Sequence, residues 1–370
     1  MVPVTFGETE LLRVQRSLDL ASNGVGLVSP NPLVGCVVVS AEGDIVGEGF
    51  YKKDDVIHAE IIALQQAGGR ARGGTAYVSL EPHDHHGKTP PCTEALINAG
   101  IVRVVCPIED PNPLVSGKGF QRLRDAGIEV SVGLLADEAA KLNEKFICWH
   151  KKQRPFVHLK LAMSLDGRIS LKKSVSTALS GEAARKRVQE LRHEHDAILV
   201  GSNTAVTDNP SLADRSGLPR RRPLARIILD NRLRLPLDST LATTTAEAPT
   251  IVFTNNIDPR DVFPLTEKGV QVIPVEGGAR NIPTVLEELK KLDIQSVLVE
   301  GGTEVAGAAI EAGVVDKVTL MVSPIIIGGH DAPVAIGGKG AETLADAFRL
   351  RDIEITRHGE DIEITGYPVT

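Results

Sequence analysis

Aromatic residues are scarce in this chain, 3% of 370 residues with a single tryptophan, so apolar site walls have to come mainly from aliphatic side chains. Positive charge is not concentrated either. The net charge is −7, and Lys151, Lys152 and Arg154 form only a short basic run. Binding a phosphate backbone needs a dense basic face, so no nucleic-acid partner is expected. Cys36, Cys92, Cys106 and Cys148 are too few and too spread for a disulfide framework, which points to a reducing, cytoplasmic compartment. The N-terminus shows no signal-peptide stretch. No segment approaches the roughly 20 apolar residues that a bilayer span needs, so no membrane partner is expected.

What is present suits globular packing: 42% hydrophobic and 24% charged residues, over a length that exceeds one usual core. Periodicity predicts strands alternating with helices. Helix 8–23 is followed by a hairpin of strands 33–40 and 45–50, a helix after His58, strand 75–80 and a helix from Thr93. Strand 101–107, a helix near 119–126, strand 128–132 and one helix from Ala136 to about Trp149 complete a three-layer α/β domain. Pro155 disfavours helix at Arg154, and fresh alternation starts at Val157, Leu159 and Leu161. The expected domains are therefore 1–153 and 154–370.

The chemistry concentrates in His58-Ala59-Glu60 and in the run Glu81-Pro82-His83-Asp84-His85-His86-Gly87-Lys88-Thr89-Pro90-Pro91-Cys92. A structural zinc takes four protein ligands, whereas a catalytic one keeps a position for water and works with a nearby carboxylate. His58, His83 and Cys92 supply three ligands, and Glu60 is the proton shuttle. Taken alone, His-Ala-Glu at a helix start reads as capping and dipole complementation. The conjunction favours chemistry. Ile61, Ile62, Leu64 and Ala67 make an apolar helical face beginning at His58, and Pro90-Pro91 opens a second helix whose first turn favours the Cys92 thiolate.

The pattern resembles the zinc nucleobase deaminases, and within them the riboflavin-pathway deaminases, whose loop reads E-P-C-S-H-x-G-[RK]-T-P-P-C. His83 and Asp84 stand here at the Cys and Ser positions, so a His2Cys site is expected, with Asp84 or a backbone carbonyl orienting the imidazole. Ser29-Pro30-Asn31-Pro32-Leu33-Val34-Gly35-Cys36 matches the same family. The resemblance assigns Asn31 to the pyrimidine and His85, Lys88 and Thr89 to the phosphoribosyl arm. Cys36 reads as a buried strand residue, and Tyr51 replaces a family histidine that contacts substrate.

The second half resembles the reductase partner of bifunctional riboflavin-synthesis enzymes, a dihydrofolate-reductase-like fold. The matching blocks are 154–168, 180–185, 196–201, 204–215, 226–236 and Val299-Glu300-Gly301-Gly302, with Asp316 and Ser323-Pro324. With the first half they cover residues 8–367. Strand 296–300 runs into Gly301-Gly302 and helix 303–312, where first-turn N–H groups suit a pyrophosphate; read without the other blocks, Gly-Gly is an ordinary tight turn. The full G-x-G-x-x-G fingerprint is absent, so this is not a Rossmann site.

The resemblance places Ala162, Ala178, Thr204, Asp208, Asn231, Gly301, Gly302, Thr303, Glu304, Val305, Ala306 and Gly307 around NADPH. Around the substrate it places Lys160, Ser176, Arg192, Leu212, Arg215 and Glu300. Lys160, Asp208 and Glu300 are the candidates for polar positioning of the reducing step. Ala178 stands where relatives commonly have tryptophan, so one aromatic wall is missing.

The expectation is a homo-oligomeric bifunctional enzyme that deaminates a phosphoribosylated diaminopyrimidine with zinc and then reduces the ribosyl group of the aminouracil product with NADPH. Three alternatives stay open here: a reductase with a decayed deaminase half, motivated by His83, Asp84 and Tyr51; a nucleic-acid base editor; and a non-catalytic nucleotide-binding protein.

Overall fold

Burial with a period of two organises the first sheet. In β1 (Gly35–Val39), Cys36 and Val38 enter one apolar cluster while Val37 and Val39 enter another, so both faces of the strand are covered. The computed structural model describes residues 7–85, 90–173 and 175–369; Lys88 and Thr89 lie outside them. It divides into two units, Met1–Gln153 and Arg154–Thr370.

In the first unit β1 pairs antiparallel with β2 (Ile45–Phe50) and β3 (Thr75–Val78). Strands β4 (Arg103–Cys106) and β5 (Glu129–Val132) continue in parallel, giving the order β2-β1-β3-β4-β5. Helix α1 (Glu8–Ser22) covers one face through Val14 and Leu20. On the other face α2 (Ala59–Ala67), α3 (Cys92–Asn98) and α4 (Lys118–Asp125) contribute Ala59, Ala63, Leu96 and Leu123. Helix α2 rides unusually close to β2. A Cβ on Gly47 would fall 1.9 Å from the Ala63 carbonyl oxygen, so only glycine allows that approach.

The single helix expected over 136–149 is instead two, α5 (Ala136–Leu142) and α6 (Glu144–Lys151), broken at Asn143. The buried Asn143 carboxamide accepts from the Leu33 N–H and donates to the Leu33 carbonyl, both at 2.9 Å. A side chain that pairs with distant backbone competes with helix continuation, and here it holds the loop after Asn31.

The second unit is a nine-stranded sheet of order β10-β9-β8-β7-β11-β6-β12-β14-β13. Its strands are β6 (Phe156–Ser164), β7 (Ala197–Gly201), β8 (Ala225–Leu229), β9 (Thr250–Thr254), β10 (Gln271–Pro274), β11 (Ser296–Val299), β12 (Lys317–Ser323), β13 (Leu350–His358) and β14 (Asp361–Pro368). From β10 to β12 neighbours are parallel, and β14 and β13 add antiparallel pairs. Parallel strands buried on both faces need near-continuous apolar runs, as in Ala197-Ile198-Leu199-Val200.

One face of this sheet carries α11 (Ile282–Lys291) and α12 (Thr303–Glu311). The other carries α7 (Glu182–His193), α8 (Ser202–Asp208), α9 (Thr240–Thr243) and α10 (Pro259–Glu267).

Candidate active sites

In the first unit His58 is the N-cap of α2, Glu60 lies in that helix's first turn, and Cys92 opens α3. His83 sits on the irregular segment after β3. One ligand atom from each of His58, His83 and Cys92 lies within 4.8 Å of the others, a spacing that fits one metal ion. The His58 and His83 rings are 4.5 Å apart between centroids.

Burial holds the His83 pKa down to about 4, with His58 and His85 adding, so the imidazole is neutral, as a ligand must be. Burial and the adjacent Glu60 carboxylate push the Cys92 thiol well up. Among the described residues the buried Glu60 Oε2 has no hydrogen-bond partner. A thiol and a carboxylate crowded together in a buried spot are the arrangement a divalent cation would relieve, so the donor set fits zinc.

The surrounding groups hold this arrangement. The Tyr51 hydroxyl accepts from Asn31 Nδ2 at 2.9 Å, and its ring lies 5.2 Å from that of His58, so the residue standing at the family histidine position fixes Asn31. Asp84 accepts from the Thr93 hydroxyl, and among the described residues no hydrogen bond joins it to an imidazole, so the direct orienting contact offered as one alternative is not among its described bonds. His85 is exposed, edge-on to His83 at 5.1 Å. Glu81, quoted in the motif but given no role there, is buried and accepts from the backbone N–H groups of Asp110, Gly117 and Phe120. Cys36 is fully buried in the core of β1.

In the second unit Lys160, Arg192 and Glu300 come together. Arg192 grips Glu300 with two bonds, Nε to Oε1 at 2.7 Å and Nη2 to Oε2 at 3.0 Å, and Lys160 Nζ stands 3.7 Å from Oε2. Burial opposes ionisation of Glu300, but the Lys160 and Arg192 cations prevail and hold its pKa at about 2. Burial pushes the Lys160 pKa down, against the pull of Glu300.

The turn after β11 brings Gly302 against Thr204: a Cβ on Gly302 would lie 3.4 Å from Thr204 Oγ1. In the first turn of α12 the Val305 N–H bonds the Gly302 carbonyl at 3.0 Å, while the N–H groups of Thr303 and Glu304 ahead of it have no intrahelical acceptor, so this corner can take a phosphate of NADPH. Val305 and Ala306 are buried under it, and the exposed Glu304 pairs with Arg280. Thr303 donates its hydroxyl to the Val334 carbonyl. Gly307 is required where the 337–338 backbone crosses α12, since a Cβ there would lie 2.5 Å from the Gly337 carbonyl oxygen.

The other expected residues lie on several elements, and Ala213, next to Leu212, accepts from Arg192 Nη1 at 2.9 Å. Asp208 ends α8 and is exposed. Ser176 and Ala178 are exposed on an irregular segment, and Arg215 is exposed. Leu212 is buried in an apolar cluster. Asn231 accepts from the Ala279 N–H, and Ala162 packs beside α7.

Two family models match: residues 10–108 fit the cytidine and deoxycytidylate deaminase zinc-binding region, and residues 155–364 fit the RibD C-terminal domain. The riboflavin biosynthesis protein RibD of Aquifex aeolicus is 42% identical over 94% of this chain and 95% of its own length. The chain belongs to the RibD family. Among solved structures, Acinetobacter baumannii RibD superposes with a TM-score of 0.87 at 36% identity, covering 98% of this chain and 99% of that one. A diaminohydroxyphosphoribosylaminopyrimidine deaminase/5-amino-6-(5-phosphoribosylamino)uracil reductase from Thermotoga maritima superposes at 0.84 and 34% identity, covering 98% and 99%. These likenesses favour the family's two activities over a reductase alone.

Proposed function

We propose that His58, His83, Cys92 and Glu60 form the deaminase site of a bifunctional riboflavin-biosynthesis enzyme, and that Lys160, Arg192 and Glu300 lie at the centre of its reductase site. The deaminase domain is 1–153 and the reductase domain 154–370. The cofactors are zinc and NADPH. The observation that carries the reading is the convergence of three neutral-or-thiol ligands beside a buried carboxylate oxygen that has no partner among the described residues.

Zinc, when bound, polarises the reacting centre and acidifies the attacking water. Glu60 then moves two protons in turn: its carboxylate carries one from water to the ring nitrogen as oxygen adds to the carbon, and then carries the added hydroxyl's proton to the amino group, which leaves as ammonia as the carbonyl forms. Asn31, fixed through Tyr51, offers an amide to the pyrimidine edge, while His85, Lys88 and Thr89 take the phosphoribosyl arm.

NADPH, when bound at Thr204 and the Gly301–Gly307 turn, supplies hydride for reduction of the ribosyl group to ribityl. Lys160, whose pKa is lowered by burial, holds a proton more loosely than an exposed lysine, and Glu300 orients it against Arg192. Asp208, Ser176, Leu212 and Arg215 complete the proposed substrate and cofactor contacts, with Ala162, Ala178 and Asn231 on the cofactor side.

No described helix is long and apolar enough to cross a membrane. The four buried free cysteines support a reducing, cytoplasmic setting, and a homo-oligomer is the proposed assembly. The test is one preparation assayed three ways: zinc content, ammonia release from the diaminopyrimidine phosphoriboside, and NADPH oxidation with the aminouracil intermediate. Zinc absent after mild purification, with no deamination on its addition, would refute the first site.

A further inference from the structure

Two of the three ligands in the first unit ride on helices that pack on the same sheet face, His58 at the start of α2 and Cys92 at the start of α3. His83 has no such support, because residues 81–84 form no helix or strand. Its segment is nevertheless tied on both sides. Two residues before it, Glu81 donates its N–H to the Ile108 carbonyl and takes three backbone N–H groups on its carboxylate. One residue after it, Asp84 Oδ1 accepts from Thr93 Oγ1 at 2.5 Å, and the Thr93 N–H points at the His83 carbonyl at 3.4 Å.

Thr93 is fully buried and directly follows Cys92. The N-cap Pro91 makes no side-chain hydrogen bond, so the first turn of α3 has no cap of its own. The Asp84–Thr93 pair therefore joins the segment of one ligand to the helical turn that carries another.

We infer that Asp84 and Thr93 are positioning residues for the metal centre, a clip that sets the His83-to-Cys92 separation and so raises zinc affinity. This rests on the ligand set proposed above. Neither residue needs to touch the ion. Groups that orient ligands in this way typically govern metal affinity by 10–100-fold, because a loop ligand that must be ordered on binding binds more weakly than one already in place.

The test is zinc affinity by competition with a chelating dye, together with the absorption spectrum of the cobalt(II)-substituted full-length protein. Thr93→Val keeps the shape of the buried side chain and removes the hydroxyl; Asp84→Ala removes the acceptor. Each should weaken zinc binding about 10–100-fold and shift the cobalt bands, and the double variant should lose no more than either single one. Thr93→Ser, which keeps the hydroxyl, should restore affinity and spectrum.

Wild-type affinity and spectrum in both Thr93→Val and Asp84→Ala would overturn the clip, and so would equal loss in Thr93→Ser and Thr93→Val. His83→Ala separates this from the reading beneath it. If that variant binds zinc as tightly as wild type, the ligand set is wrong. If it loses zinc while Asp84→Ala and Thr93→Val do not, the ligand set stands and the clip fails.

Discussion

Replacing Glu300 by glutamine removes one negative charge from between two buried cations. The amide keeps the shape of the side chain and mimics its protonated form, so the loss can be read from proton affinity. Glu300 is held at about 2 against an ordinary 4.5, and each tenfold change in proton affinity is about 1.4 kcal/mol, so the ionised form contributes about 3 kcal/mol to the second unit. That agrees with the roughly 3–5 kcal/mol lost when one partner of a buried pair is removed.

The sign in pH follows from the depressed pKa. The contribution is complete above pH 4.5 and is lost as pH falls toward about 2. Hydrogen exchange of the β6 and β11 amides, measured by mass spectrometry, reports this unit separately from Trp149, the chain's one tryptophan, which lies in the first unit. Glu300→Gln should lower protection there by about a hundredfold at pH 7, flatten its dependence between pH 4.5 and 2, and abolish NADPH oxidation while ammonia release persists. Protection within threefold of wild type at pH 7, or an unchanged acid slope, would show that the Arg192–Glu300–Lys160 group is not coupled as its geometry implies.

The parts of the architecture that rest on periodicity were legible in the sequence. The apolar run at Val37 to Val39 and the alternation at Val157, Leu159 and Leu161 mark strands, and the apolar face after His58 marks α2. Periodicity is silent about a residue that leaves its own helix to serve another segment. Asn143 looks like one polar position in a continuous helix, yet its carboxamide pairs with Leu33 across 110 positions of chain.

The proposed metal ligands, which the fold brings within 4.8 Å of one another, were legible because three residue types at fixed offsets from two helix starts admit few other uses. Their supports were not. Whether Asp84 faces an imidazole or Thr93, and whether Tyr51 replaces a substrate contact or holds Asn31, depends on side-chain direction, which spacing does not encode. The reductase trio Lys160, Arg192 and Glu300 comes from three separate elements, so the family likeness could name its members while only the fold reveals that one carboxylate joins both cations.

The remaining tests address other parts of the two sites. Glu60→Gln should keep zinc and the fold but lower ammonia release by about a hundredfold or more, leaving NADPH oxidation intact; loss of reduction with directly supplied intermediate would undo the two-site assignment. His83→Cys should retain about one zinc per chain, since a thiolate serves the same position, and should add thiolate charge-transfer absorption to the cobalt(II)-substituted protein; an unchanged cobalt spectrum would exclude that position as a ligand site. Gly307→Ala should destabilise the α12 contact with residues 337–338 and raise KM for NADPH more than it lowers kcat, with unchanged kinetics counting against a cofactor role for this turn. Asp110 offers a pH test in the first unit: burial, then the nearby Glu81 charge, lifts its carboxyl to about 6 although the Asn112 N–H opposes them. A raised folded pKa means stability that is complete below 3.8 and lost as pH rises through about 6, a difference of about 3 kcal/mol. His83, held at about 4, acts in the opposite direction over the same window, so the informative quantity is the difference between wild type and Asp110→Asn, whose amide oxygen can still accept from Asn112. Unfolding followed by Trp149 fluorescence should show Asp110→Asn gaining on wild type as pH rises from 4 to 7; a constant difference would mean that Asp110 ionises in the folded protein as readily as in the unfolded chain.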